Sequence, residues 1–412
     1  MRRWVKKLAS SDVSLMAISW LDGLIARAPS VETSESDRFH VLLAATGDGN
    51  IGDQAMLDAF LRLVPGRVKV LCSSHEALQI PAEFLDRVQV VSVPGLIGAP
   101  GFRRAASLRT FGRLMKSAMS FTVTGADVMD GTYSVLHSAA RISLLRIARR
   151  HRVPCEVLGF SWSATPSKSI VKQLRDVSGY TRLLARDPRS RERLREHGVP
   201  NAELVTDVVF SDLTKDDLPP KLNAWLEQAK EANQRIVAVN VSGLIGRKMA
   251  QLSEYETIVA ALRKHDCRIL FLPHVLRLND DDLLETRKVF DALSNENDFL
   301  VESMLSPGQV RSIVPFLTLT LTGRMHLAIM SLAQGTPAVT LATQGKVEGL
   351  YELFELPQLR ISPVSGFGAE VGDVASQLLD GDEASVRGAI MTALPRVMEL
   401  SSENGRTARG AV

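Results

Sequence analysis

"HVLLAATGDGNIGDQAMLDAF", residues 40–60, begins with the apolar run Val41-Leu42-Leu43, turns through three glycines, and closes in a stretch with helical spacing. An apolar run that ends in glycine before a helix is one strand–turn–helix step, with a backbone that must approach something closely. The step recurs. Strand-like runs follow at 67–74, 88–95, 121–127, 154–162 and 180–187, with helical patterns such as "ARISLLRIARRHR" (140–152) between them. A second series runs through 235–243, 267–275, 299–303, 316–323, 337–343 and 358–362. Near-continuous Val, Ile and Leu in such strands implies parallel sheets covered by helices on both faces. The expected class is therefore α/β, with two Rossmann-like domains facing a cleft. The expected boundaries are an N-terminal amphipathic helix and linker (1–38), a first domain (39–215), a second domain (216–400) and a disordered tail (401–412). The Pro- and charge-rich "DLTKDDLPPKLN" (212–223) marks the join.

The 412-residue length suffices for two cores, and a net charge of +3 with 5% aromatic residues gives no basic, stacking surface for nucleic acid. Cys72, Cys155 and Cys267 sit far apart in strand-like surroundings and read as buried thiols of a reducing, cytoplasmic compartment. No CxxC, HxxxH or HExxH spacing occurs, so no protein-held zinc is expected. No uncharged apolar run reaches membrane-spanning length. The N-terminus starts basic and then turns apolar, but Asp12 and Asp22 interrupt it, which argues against a signal peptide. An amphipathic helix carrying Trp4, Leu8, Leu15, Ile18 and Trp20 either packs on the body of the protein or lies on the inner face of an anionic membrane.

Ligands of open parallel sheets bind beyond the carboxyl ends of the strands. In the first domain those ends carry Gly47-Asp48-Gly49-Asn50 with Asp53, then Gly125 with Asp127 and Asp130, Ser161-Trp162-Ser163, and Arg186-Asp187. This polar, partly acidic edge suits a hydroxyl-rich ligand. In the second domain they carry Asn240 and Ser242 with Arg247 and Lys248, then His274, Arg324 and His326, and Lys346, with no carboxylate expected before Glu348. That edge suits an anion. Arg324 and His326 fall at the start of a helix, where free N–H groups favour negative charge. Arg324 has the fork to grip a carboxylate or phosphate, and His326 has a proton to donate. Gly47, Gly49 and Gly52 fit GxGxxG, but the second strand ends "VLCSSHEAL" without the usual acid, and Asp48 and Asp53 would repel a pyrophosphate. NAD binding is therefore rejected.

These residues resemble the signatures of the polysaccharide pyruvyl transferase family. "GNIGDQAML" resembles GN-x-GD-E/Q-A. "ARDPRSRERLREHGV" resembles RD-x-x-S-x-x-x-L-x-x-x-GV, and "VTDVVF" the pD-x-af segment. "TGRMHLAIMSLAQGTPAV" resembles GxRxHxxIxAxxxGxP, followed by a K-V-x-G element at Lys346–Gly349. "TGADVMDG" departs from the family's usual GGG turn. The resemblance spans about residues 40–355 and implies a fold similar to that of GT-B glycosyltransferases. It also implies transfer of pyruvate from phosphoenolpyruvate onto two hydroxyls of a sugar in a surface polysaccharide or its precursor, with release of phosphate. His326 is then the general acid or the group that stabilises departing phosphate. Arg324, Met325 (through its backbone) and Arg186 bind the donor, with Lys346, His274, Asn240 and Ser242 assisting. Asn50, Gly49, Asp127 and Asp130 contact the acceptor, a sugar or lipid-linked oligosaccharide. Asp53 is the catalytic base, with Asp127 and Asp130 as other choices. No metal or cofactor is expected, because the cations are built in. The alternative is a GT-B glycosyltransferase with a nucleotide-sugar donor.

Overall fold

In each of the two large parallel sheets the order of strands reverses once. The computed structural model describes residues 21–26, 38–98, 101–277, 280–343 and 346–411. The described residues form two units, one from segments 1–47, 56–208 and 400–412, the other from 48–55 and 209–399. The first holds β1 (Phe39–Leu43), β2 (Val68–Cys72), β3 (Val88–Ser92), β4 (Ala118–Val123), β5 (Cys155–Phe160), β6 (Thr181–Ala185) and β7 (Glu203–Leu204). They pair in parallel in the order β3-β2-β1-β4-β5-β6-β7, so the switch point lies between β1 and β4. Every residue of β1 and of β5 is buried, so apolar side chains dominate both strands, with His40 and Glu156 the polar exceptions.

The second unit holds β8 (Ile236–Asn240), β9 (Arg268–Phe271), β10 (Leu276–Arg277), β11 (Asp280–Asp281), β12 (Phe299–Leu300), β13 (Leu317–Thr322), β14 (Ala338–Leu341) and β15 (Arg360–Ile361). Six of them make a parallel sheet, β12-β9-β8-β13-β14-β15, with its switch point between β8 and β13. β10 and β11 form a separate antiparallel pair. Each unit has its own core, marked by edge-to-face Phe111–Phe121 (5.0 Å) in the first and Phe271–Phe290 (5.3 Å) in the second.

Every strand run read from the sequence contains a strand. Three other expectations need correcting. First, residues 48–55, placed in the first domain by sequence, belong to the second unit, because they pair with residues 274–277 as described below. Second, the C-terminal segment expected to be disordered is folded onto the first unit. Ser401 Oγ donates to Asp207 O (2.8 Å), and Asn404 accepts from Gly159 N (2.8 Å) and donates to Thr206 O (3.0 Å). The fully buried Glu156 accepts from Gly405 N (2.6 Å), Thr407 Oγ1 (2.9 Å) and Arg182 (3.0 Å). Ser401, Asn404, Gly405 and Thr407 of this polar tail satisfy backbone and carboxylate groups that would otherwise be buried unpaired. Third, the join between units falls at Val208/Val209, earlier than expected, because the buried pair Arg311–Asp212 (2.9 Å) ties the linker to the second unit.

The residues of the expected N-terminal helix through Trp20 lie outside the described residues. Asp22 is buried, accepting from Arg104 and from Ser143 Oγ (2.7 Å), so residues 21–26 pack on the first unit. Among the described residues no helix is long and apolar enough to cross a membrane. All three cysteines are free and buried, and burial pushes the Cys155 thiol up to about 12 and Cys267 up to about 11.

Candidate functional site

At the β8/β13 switch point Asn240 stands in register with Thr322, the last residues of the two strands. Thr322 Oγ1 donates to Asn240 Oδ1 (3.2 Å), and Asn240 Nδ2 donates to Leu272 O (3.1 Å) and Asp282 (2.9 Å). Asn240 is thus fully buried and committed to the frame. Asp282 is the centre of that frame. With no exposure, it accepts from Asn240, Gly243 N (2.8 Å), His274 N and Val275 N (3.1 Å each) and the Arg324 guanidinium (2.5 Å).

Arg324 caps the helix Met325–Leu332, its own N–H donating to Thr322 Oγ1 (2.9 Å). Its side chain, 11% exposed, is gripped by Asp282 and also by Asp280 (2.5 Å), which is 21% exposed. Burial opposes the charge on Arg324, but the two carboxylates outweigh it and hold the group firmly protonated. The sequence reading placed no carboxylate on this edge before Glu348; Asp280 and Asp282 overturn that. The signal was present in "NDDDLLETR", but such a run before a helix also reads as N-terminal capping, and Asp281 does cap Leu284 N (3.1 Å). Glu348 itself pairs with Arg360 (2.7 Å).

His274 follows β9 and is 1% exposed, with neither ring nitrogen hydrogen-bonded among the described residues. Burial, then the neighbouring His326 and Arg324, hold it well below the usual histidine range, so its ring is neutral. The Ser242 hydroxyl, also fully buried and packed against Gly323, is likewise without a partner among the described residues. Unmet polar atoms in a core each cost about 1–3 kcal/mol, and three of them, the two ring nitrogens of His274 and the Ser242 hydroxyl, lie at this one sheet edge.

The glycine loop 47–52 lies against this edge. Asn50 bridges Val275, Leu276 N donates to Gly49 O (2.7 Å), and Ile51 N donates to His274 O (3.2 Å). Gly49 has φ +83°, and a Cβ there would fall 2.2 Å from Leu276 O. Gly52 opens the helix Ile51–Leu63, and a Cβ there would fall 2.2 Å from His326 Nδ1. The glycines therefore bring backbone against a protein strand and an imidazole. Asn50 Oδ1 accepts from Gly52 N (3.0 Å), an internal turn contact. Asp53 pairs with Arg277 (2.6 Å), whose Nε also donates to Asp48 O (3.2 Å). Arg277 was missed by the sequence reading, because it lies on a two-residue strand without apolar periodicity. Met325 is buried as the first residue of its helix, and Lys346 opens the helix Lys346–Glu352, its side chain lying outside what the structure describes.

The remaining sequence-predicted residues belong to the first unit and have structural partners. Arg186 is 2% exposed, pairs with Asp207 (2.9 Å) and donates to Ser161 Oγ (2.8 Å). The RD and pD segments thus hold each other, and Asp187 caps the helix Pro188–Glu196 through Ser190 N (2.7 Å). Asp130 accepts from Thr132 N (2.9 Å) and Ser163 N (3.3 Å) as a turn residue, and Asp127 accepts from Tyr133 OH (2.8 Å). Among the described residues no group of three or more acidic, His or Cys side chains is placed to hold a metal.

The model of one family, described as polysaccharide pyruvyl transferase, matches residues 50–345. No curated relative matches the chain. Solved structures with a similar fold include a trehalose-6-phosphate synthase (12% identity, TM-score 0.56, covering 91% of this chain and 100% of that one). A putative UDP-N-acetylglucosamine 2-epimerase from Listeria monocytogenes is similar at 11% identity and TM-score 0.57, covering 90% and 96%. The UDP-GlcNAc 2-epimerase from Neisseria meningitidis, bound to UDP-GlcNAc, is similar at 10% identity and TM-score 0.56, covering 90% and 100%. At these identities the likeness is one of fold, and it places the chain with the GT-B-like proteins of two Rossmann-like units.

Proposed function

The chain belongs to the polysaccharide pyruvyl transferase family, and on that premise we propose that it transfers pyruvate from phosphoenolpyruvate to two hydroxyls of a sugar, forming a ketal and releasing phosphate. The observation that carries the reading is the buried, unpartnered His274 ring set beside Arg324 and His326 at the β8/β13 switch point. A donor with a carboxylate and a phosphate on three carbons has the acceptor oxygens this site lacks.

In this account the donor carboxylate approaches the Arg324 face now held by Asp280, the more exposed of its two partners, while Asp282 keeps the guanidinium in place. The His274 N–H and the Ser242 hydroxyl donate to donor oxygens, with the N–H of Met325 and the Lys346 ammonium completing the set. Carbon 3 of the enol gains a proton, and carbon 2 becomes electrophilic. The first sugar hydroxyl adds to carbon 2 and gives up its proton. His326 protonates the bridging oxygen as phosphate leaves, and the second hydroxyl then closes the ketal, losing its own proton. Of the two hydroxyl protons, one balances the new methyl group and the other leaves on phosphate. Asp53, paired with Arg277, is the base candidate retained on this unit. Arg186 is left out of the donor set because it lies in the other unit, 2% exposed and paired with Asp207, and Asp130 is left out as a base because it accepts turn N–H groups. Such a donor places the reaction in the cytoplasm.

The test is phosphate release from phosphoenolpyruvate in the presence of a sugar acceptor, with the ketal identified by mass spectrometry. Turnover that requires phosphoenolpyruvate supports the reading. Turnover with nucleotide sugars and none with phosphoenolpyruvate would make the protein a glycosyltransferase.

A further inference from the structure

We propose that the outer face of the helix Phe102–Leu114 docks the first unit on an anionic phospholipid surface. This goes beyond the transfer chemistry: it concerns where the chain works, and it does not depend on the identity of donor or acceptor.

This helix connects β3 to β4. Its Ser107, Leu108, Phe111 and Gly112 are buried, and Leu108 and Phe111 join the core of the first unit. Phe102, Ala106, Arg109 and Arg113, at i, i+4, i+7 and i+11, share the opposite side and are exposed, with Arg103 exposed beside them. Arg104, on the flank, is committed to Asp22 and to the Leu96 carbonyl. The guanidinium groups of Arg103, Arg109 and Arg113 have no ion-pair or hydrogen-bond partner among the described residues. The helix contains no carboxylate, and neither does the helix Val135–Arg150. Between Ile97 and Glu156 the only acids are Asp127 and Asp130, in the turn after β4. Three cations therefore share one face with nothing on it to neutralise them, in a chain whose net charge is only +3. Such a face suits a surface of opposite charge.

Charge alone would admit any polyanion, and Phe102 separates the cases. At 96% exposure it is the barest large apolar side chain among the described residues, and it stands in the first turn of the cationic helix. A phenyl ring is poorly placed in water, and it gains by entering the apolar layer beneath lipid headgroups while the neighbouring arginines meet the headgroup phosphates. A polyanion in solution offers the ring no such layer. The chain ahead of the helix points the same way. A Cβ at Gly112 would run into Ala26 O, and one at Gly23 into the Arg150 guanidinium, so residues 21–26 lie against this helix and against the end of Val135–Arg150. Leu21 is exposed there. The residues before it, outside the described structure, carry Arg2, Arg3, Lys6 and Lys7 with Trp4 and Trp20 in their sequence. A basic, apolar segment is thus attached beside a basic helix face with an apolar tip.

The experiment is co-sedimentation of the full chain with vesicles of phosphatidylcholine alone and of phosphatidylcholine mixed with phosphatidylglycerol, at low and high salt. The wild type is compared with the combined variant Arg103→Gln, Arg109→Gln, Arg113→Gln and with Phe102→Ser. A control, Arg195→Gln, Arg287→Gln, Arg396→Gln, removes the same charge from exposed positions elsewhere. All the substituted side chains are exposed, and melting temperatures check that each variant is folded. The proposal expects the wild type to bind the mixed vesicles and not the neutral ones, with binding lost at high salt. Partitioning should weaken at least tenfold in the combined variant and at least threefold in Phe102→Ser, and change little in the control. No binding of the wild type to the mixed vesicles, equal binding to the neutral ones, or a combined variant that binds as well as the control would overturn it. Soluble polyglutamate held as tightly as the mixed vesicles, with Phe102→Ser without effect, would also overturn it and assign the face to an acidic polymer. Because neither donor nor sugar is present, a failure here is separate from a failure of pyruvyl transfer.

Discussion

At the scale of single residues, Gly49, Gly52 and the buried carboxylate of Asp282 fix the packing of the candidate site. Gly52→Ala puts a methyl where the His326 ring sits. The expected result is a loss of kcat at least as large as any loss of affinity, with a fall in stability of about 1–3 kcal/mol by denaturant titration. His326→Ala should lower kcat by about 10²–10⁴-fold while the protein stays folded, as judged by circular dichroism. Near-full activity would remove it from the reaction. Asp282→Ala leaves the Arg324 charge with one partner fewer and several N–H groups unmet, and should destabilise the second unit by about 3–5 kcal/mol. Asp280→Ala, at the more exposed partner, should be far milder. The nearness of Arg324, His326 and His274 was legible because residues just past the ends of parallel strands in one sheet share one edge. Asp280, Asp282 and Arg277 were not, since charged residues in a short irregular segment carry no periodicity to say which way they face.

At the scale of elements, the C-terminal segment makes the sharpest prediction. Removing residues 400–412 strips Glu156 of Gly405 and Thr407 and leaves Gly159 N and Thr206 O without Asn404. Truncation at Glu399 should therefore lower the melting temperature of the first unit markedly, whereas a polar tail without structure would be removed at no cost. Central strands such as β1 and β8 were readable because both of their faces are buried, which favours runs of Val, Ile and Leu. β7, β10 and β11 have two residues each and no such signature. The tail was misread because its hydrogen-bonding role depends on buried partners remote in sequence. The glycine loop was recognised as a close approach, but what it approaches, the segment 274–277, is a fact of tertiary pairing that local sequence does not carry.

At the scale of the whole molecule, pH and ligand are the two levers. His274 and His40 are both held below the usual histidine value, chiefly by burial. Below about pH 6.5 the unfolded chain therefore binds protons that the folded chain refuses, and stability falls as pH falls. Urea titrations between pH 7.5 and 5.5 should show this decline, with a shallower slope in His274→Leu. The same substitution separates stability from function, because it replaces an unpartnered imidazole by a side chain the core accepts. The most direct measurement is thermal shift of the wild type and His274→Leu with phosphoenolpyruvate and, separately, with nucleotide sugars. The account predicts a rise with phosphoenolpyruvate alone in the wild type. In His274→Leu that rise should be lost, while the unliganded melting temperature is no lower than that of the wild type. A rise with nucleotide sugars alone, or a phosphoenolpyruvate shift undiminished in His274→Leu, would contradict it.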